Sequence, residues 1–250
     1  MTLSTMPTRH ATAEAALPAE DLAALLPPGW PLDVPLARVR TCGLLTVEVV
    51  TELQPSPDGQ MHAVYGPPAA RLFTIRGMST ALVLLALLAS QPGCLTSKDF
   101  LMQTLAHLRA PDLLSEEDDQ DEDEPLKRLD NVVSLLRKLL YPPVLLPFSG
   151  TNLLRKRLVR LVRATPESGS GYRLASFPLL WLDVEAMETY GARARRLEER
   201  GEDGLEDWQA VYQIGMRGPF LGHEPYSAWA DWRRGRVRSL LWQSVTAQCS

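Results

Sequence analysis

Lys127, Asn131, Ser134 and Lys138 follow one another at spacings of four, three and four. On a helix they share one face, within about a quarter of the circumference at ~100° per residue. Two cations, an amide and a hydroxyl, with no carboxylate among them, are donors suited to phosphate oxygens and to base edges in a major groove. The opposite side of the same wheel carries Leu129, Val132, Val133, Leu136 and Leu140, the stripe of a packed helix. An ordinary amphipathic surface helix shares this pattern. Its surroundings decide between the two readings. Arg128 and Arg137 lie in the same segment, and Arg155, Lys156, Arg157, Arg160, Arg163 and Arg173 follow it. These side chains, with the first four, are the candidate DNA-contacting set.

The charge balance of the whole chain hides this. Its formal net charge is −4 over 250 residues. Residues 116–124 are acidic at every position but Gln120, whereas 125–175 hold ten Lys or Arg against Asp130 and Glu167. Counterion release scales with the phosphates contacted, so the local charge governs binding to a polyanion. The acidic loop, placed at 115–124, reads as solvated, because like charges repel and bury nothing.

Elements must hold these residues. Residues 1–35, rich in Ala, Pro and Thr, read as a loosely ordered leader with a short helix at 19–26. Val39–Leu53 is rich in β-branched residues, 55–59 is a turn, and Met61–Tyr65 and Arg71–Ile75 read as further extended pieces. Ser79 or Thr80 is expected to cap a helix over 81–90, ended by Pro92-Gly93. Thr96-Ser97-Lys98-Asp99 opens a second helix, and Pro125–Leu140 makes a third, stopped by Tyr141-Pro-Pro. Arg155–Arg163 reads as extended and basic, and Tyr172–Leu174 as the returning strand. Strands, three helices and a basic hairpin are the order of a winged helix, in which the second and third helices form the helix-turn-helix. The predicted helices at 182–200, 205–214 and 225–247 suggest a tetratricopeptide-like layer. The expected fold is therefore an α+β winged helix-turn-helix domain over 36–176, followed by an all-α tetratricopeptide-like domain over 177–250. Phe177 and Trp181, in the apolar stretch 177–182, are expected to fix the second domain on the first, with dimerisation as the alternative.

This order resembles the antibiotic-regulatory-protein type of bacterial transcriptional activator (SARP), in which an OmpR-type winged helix precedes a helical bacterial transcriptional activation domain. Ala81–Gly93, Thr96–Leu101, Val133-Ser-Leu-Leu-Arg137, Gly171-Tyr-Arg-Leu174, Leu182-Asp183, Tyr212, Gly218-Pro-Phe-Leu221 and the stretch from Trp229 to Leu240 carry the likeness. Leu135 stands where that family's third helix usually has an arginine, and about 17 residues separate that helix from the wing, where fewer are usual. The helical domain is shorter than the family's, so it reads as truncated or as a short variant. The resemblance implies double-stranded DNA as a partner, and RNA polymerase or another protein through the helical domain.

Other classes find little support. GxSxG, P-loop, HExxH and strand-borne GxGxxG patterns are lacking, and His10, His62, His107 and His223 are scattered. No catalytic residue, metal or cofactor is expected. Cys42, Cys94 and Cys249, odd in number and far apart, read as reduced thiols of a cytoplasmic protein. No apolar stretch is long enough to span a bilayer, so no membrane partner is expected. Two functions remain: a sequence-specific regulator of transcription, or a protein–protein adaptor on the same scaffold.

Overall fold

A computed structural model describes residues 26, 30–31, 33–55, 61–74, 78–107, 124–147, 151–163, 169–223 and 227–249. It is a mixed α/β protein, with a small-sheet region followed by a helical one. The β-branched stretch forms two strands, β1 (Ala37–Arg40) and β2 (Thr46–Pro55), broken at Gly43. Gly43 has φ +87° and a Cβ there would lie 2.8 Å from the Arg217 carbonyl oxygen, so the turn needs glycine twice over. β2 pairs antiparallel with β3 (Met61–Gly66), and β1 pairs parallel with β7 (Leu180–Leu182), giving the order β3-β2-β1-β7. The expected strand at Arg71–Ile75 is instead a 3-10 turn over Ala70–Thr74, directly before a helix. The leader also differs in part from expectation. Trp30 is buried, and its indole N–H donates to the Val34 carbonyl at 3.2 Å. The expected helix at 19–26 falls, save for Leu26, outside the described residues.

Helix α1 (Met78–Ser90) is apolar nearly all round and runs through the middle of the core. It starts earlier than expected, which places Ser79 and Thr80 in its first turn. A second sheet follows, in which β4 (Leu95–Ser97) and β5 (Val159–Val162) flank β6 (Gly171–Leu174). A Cβ at Gly171 would collide with the Thr96 carbonyl, so close pairing of β4 with β6 requires that glycine. Helix α2 (Lys98–His107) is capped as expected, the Ser97 hydroxyl accepting from the Phe100 N–H at 3.2 Å. Helix α3 (Glu124–Leu140) already includes the last residue assigned to the acidic loop, and 115–123 lie outside the described residues. The extended reading of Arg155–Arg163 fails for its first half. Thr151–Leu158 is a helix, α4, and the strand begins only at Val159. Leu, Arg and Lys are good helix formers, and Leu154 and Leu158, four apart, are both buried.

The remaining chain forms α5 (Asp183–Glu198), α6 (Leu205–Gly215) and α7 (Asp231–Gln248), packed around Met187, Trp208, Val211, Val237 and Leu240. This region is seated on the first sheet, but not through Phe177, which is 51% exposed. A polar hub takes that role. Asp183 is fully buried and accepts from the Thr41 N–H at 2.7 Å, the Thr41 hydroxyl at 2.6 Å and the Cys42 N–H at 2.9 Å. The same turn bonds the α6–α7 connection: Leu221 N–H to Thr41 O at 2.7 Å, Gly43 N–H to Pro219 O, and Gly222 N–H to Gly43 O. Across the molecule Arg233 is 1% exposed and donates to the carbonyls of Ala89 (3.2 Å) and Gln91 (2.7 Å) at the end of α1 and to Glu188 (2.9 Å). Trp229 is half-buried, while Trp232 is exposed rather than packed. Among the described residues no helix is long and apolar enough to cross a membrane.

Asp183→Ala strands two backbone donors and a hydroxyl in the core, so it is expected to cost about 3 kcal/mol or more, read from the midpoint of urea unfolding. Burial also pushes the Cys42 and Cys94 thiols well above their ordinary values, whereas Cys249 is exposed. Native protein at pH 8 is expected to take up one equivalent of iodoacetamide at Cys249, and three after unfolding.

Candidate nucleic-acid interface

Helix α3 presents the face expected of it. Lys127, Asn131, Ser134 and Lys138 are all exposed, while Leu129, Val132, Val133, Leu136, Leu139 and Leu140 are buried. Arg128 is also exposed, beside Lys127. The exposed face is held at a fixed angle by two polar ties to the β5–β6 hairpin. At one end the Tyr172 hydroxyl of β6 donates to Asp130 in a short hydrogen bond. At the other, Arg137 donates from Nε (2.9 Å) and Nη2 (2.6 Å) to the Val159 carbonyl of β5. β5 is an edge strand, and Arg137 supplies a carbonyl there with donors that no neighbouring strand provides.

These ties bear on Arg137 and Tyr172. Arg137, counted among the DNA-contacting set, is half-buried and spends two donors on the fold; burial lowers its pKa from the ordinary guanidinium value. Tyr172 is buried, and burial first and the Asp130 hydrogen bond second raise its phenol pKa far above the usual range, so it remains a donor. Its ring also carries Lys98 of α2, at 5.5 Å from the centroid. Arg155 is likewise engaged, stacked at 4.7 Å over the Tyr141 ring that ends α3. It shares a cleft of about 230 Å³ with Lys138, which brings α4 beside the C-terminal end of α3.

The other cations lie along the hairpin and α4. Lys156 and Arg163 are exposed, and Arg157, Arg160 and Arg173 are half-buried. Arg160 and Arg173 stand directly opposite one another across β5 and β6. Together α3, α4 and the hairpin bring Lys127, Asn131, Ser134, Lys138, Lys156, Arg157 and Arg163 to the protein surface. Two groups that sequence reasoning missed position this face: Asp130, read only as one of two acids in a basic stretch, and the α4 helix itself. Among the described residues no group of three His, Cys, Asp or Glu side chains is arranged to hold a metal ion.

Comparison of the chain with protein-family models, curated proteins and solved structures finds no match in any of the three.

Arg137→Ala is expected to lower stability by about 1–2 kcal/mol, because the Val159 carbonyl loses both donors. Lys138→Ala, one residue on, should stay within about 0.5 kcal/mol of the parent. Urea unfolding of the two variants side by side checks this, and equal losses would contradict the assignment of Arg137 to the fold.

Proposed function

We propose that this chain is a sequence-specific double-stranded DNA-binding regulator of transcription. In this reading α1–α3 with the β5–β6 hairpin form a winged helix of the OmpR type, and α5–α7 a tetratricopeptide-like domain similar to the bacterial transcriptional activation domain. The observation that carries it is the exposed, acid-free face of α3, bounded by cationic residues of α4 and the hairpin. An ordinary solvated helix has no reason to keep carboxylates off that face while the adjoining elements add Lys156, Arg157 and Arg163. The order of elements supports the same reading: β4 pairs with the hairpin between α1 and α2, and α2 leads toward α3.

The roles divide by chemistry. Asn131 and Ser134 read base edges, and Lys127 and Lys138 contact phosphates on the two sides of the groove. Lys156, Arg157 and Arg163 fix register on the flanking backbone. Arg137, Tyr172 and Asp130 do not touch DNA; they set the angle between helix and wing. A second reading, a protein adaptor on this scaffold, draws on Trp232 and Trp242, 50% and 72% exposed on α7. Salt dependence separates the two.

Selection from a random duplex library followed by fluorescence anisotropy tests the proposal. Affinity is expected to fall with salt at a log–log slope set by about four to six neutralised phosphates. Asn131→Ala should lose about 1–3 kcal/mol of base preference at one position, and Arg157→Ala should weaken all duplexes alike. Absence of salt-dependent duplex binding would favour the adaptor.

A further inference from the structure

A cleft of about 650 Å³ opens on the outer side of β7 and α5, away from the basic face of α3. Its volume lies within the range of small-molecule sites, roughly 300–1,000 Å³, and such sites combine an apolar lining with a few convergent polar groups. Phe177, Trp181 and Tyr190 supply the aromatic walls, and Glu185, Glu188 and Arg196 the charges. The charges are not equivalent. Glu188 accepts from Arg233 at 2.9 Å and lies 3.4 Å from Arg236, so its charge is met within the protein. Arg196 donates from Nε to the Ala192 carbonyl at the far end of the cleft. Glu185 has a different environment. Its carboxylate accepts only from the Cys94 thiol, at 3.4 Å, and forms no ion pair among the described residues.

The aromatic rings are placed to match. No cation of the described residues stacks on Phe177 or Trp181, although Arg38, Arg40 and Arg217 line a separate cleft on their far side. Arg38 is stacked over Tyr65 and Arg40 is paired with Glu48, so both are already engaged there. Phe177 is half exposed at a turn, and hydrogen bonds at Thr41 and Arg233 join the two regions. A carboxylate without an ion-pair partner, in a cleft with the half-exposed Phe177 and the partly buried Trp181, is a recognition surface for an organic cation.

We propose that this cleft binds a small organic amine, its protonated nitrogen on the Glu185 carboxylate and its apolar body against Phe177 and Trp181. None of the residues lining the cleft lies on α3, α4 or the hairpin, and Arg173 of β6 is the one member of the DNA-contacting set that acts on Glu185. Burial raises the Glu185 carboxyl above its ordinary value, and the surrounding groups are Cys94 from the end of α1, Glu188 on its own helix, Arg233 from α7 and Arg173 from β6. Arg233 and Arg173 oppose that rise without pairing directly with Glu185, and an ammonium group brought to the carboxylate adds a direct counter-charge.

The probes are phenethylamine, neutral 2-phenylethanol and anionic 3-phenylpropionate, titrated into the full chain without DNA and followed by calorimetry. Phenethylamine is expected to bind at least about tenfold more tightly than either counterpart. Glu185→Gln should abolish that preference while leaving the alcohol unchanged, and Phe177→Ala, at an exposed position, should weaken all three together. No binding up to millimolar concentration, equal binding of the three probes, or a preference that survives Glu185→Gln would overturn the proposal. If Glu185→Gln does not fold, the wild-type ranking and the Phe177→Ala result decide the matter by themselves.

Discussion

Asp183 is a carboxylate with no exposed surface, and its position is tolerable because three donors from Thr41 and Cys42 converge on it, with the Val184 N–H as a fourth. A buried unpaired carboxylate costs several kcal/mol, so the donors and the acceptor each require the other. The consequence reaches far along the chain. Thr41 and Cys42 sit at the end of β1, and Asp183 opens α5 directly after β7, the strand that pairs parallel with β1. The same turn then accepts the 218–222 segment through backbone bonds at Thr41 and Gly43. One short turn thus collects the first sheet, the start of α5 and the connection between α6 and α7. A hydrophobic seam could slide; convergent hydrogen bonds on a buried charge hold one register.

Arg233 completes the joint from the other side. It is charged and 1% exposed, and it caps the carbonyls at the end of α1 while Glu188 of α5 meets its charge. Helix α1 is the element around which α3 packs, and α3 is tied in turn to the hairpin by Asp130–Tyr172 and Arg137–Val159. Polar ties from α7 to α1 and from α3 to the β5–β6 hairpin are thus joined by the apolar packing of α3 on α1. Under the proposed function, the helical region is held at one angle to the DNA by these contacts. A flexible linker would leave that angle open.

The legible parts of the fold were those with strong periodicity or strong punctuation. The α3 stripe, the Ser97 cap, the Pro142-Pro143 stop and the returning strand at Tyr172–Leu174 followed from local rules. Local rules failed where two structures suited the same residues. Arg155–Leu158 is basic and flanked by a strand, yet Leu154 and Leu158 bury themselves only if the segment is helical. Arg71 to Thr74 has strand-like residues, but the chain must turn there to enter α1. The site was half legible. The exposed face of α3 is readable as a wheel, whereas the commitment of Arg137 to a carbonyl at an edge strand depends on where β5 lands. Arg233 is one of four arginines in a run of six residues, and nothing local singles out the buried one. Asp183 was visible only as part of a Leu-Asp pair whose purpose the hydrogen bonds to Thr41 supply.

The same ties explain why the basic face can coexist with a net acidic chain. Asp130, the one carboxylate of the α3 stretch between Leu126 and Leu140, is exposed and accepts the Tyr172 hydroxyl at the flank where the hairpin docks. Arg137 faces the same flank, so the pair with opposite charges lies on the side where the hairpin docks. Asp130 and Arg137 are thereby engaged by the hairpin, and the other polar side chains of the face, Lys127, Asn131, Ser134 and Lys138, are cationic or neutral. A potential favourable to a polyanion then arises from the placement of a few side chains, whatever the total charge. Position along the helix wheel, rather than composition, decides the character of this surface.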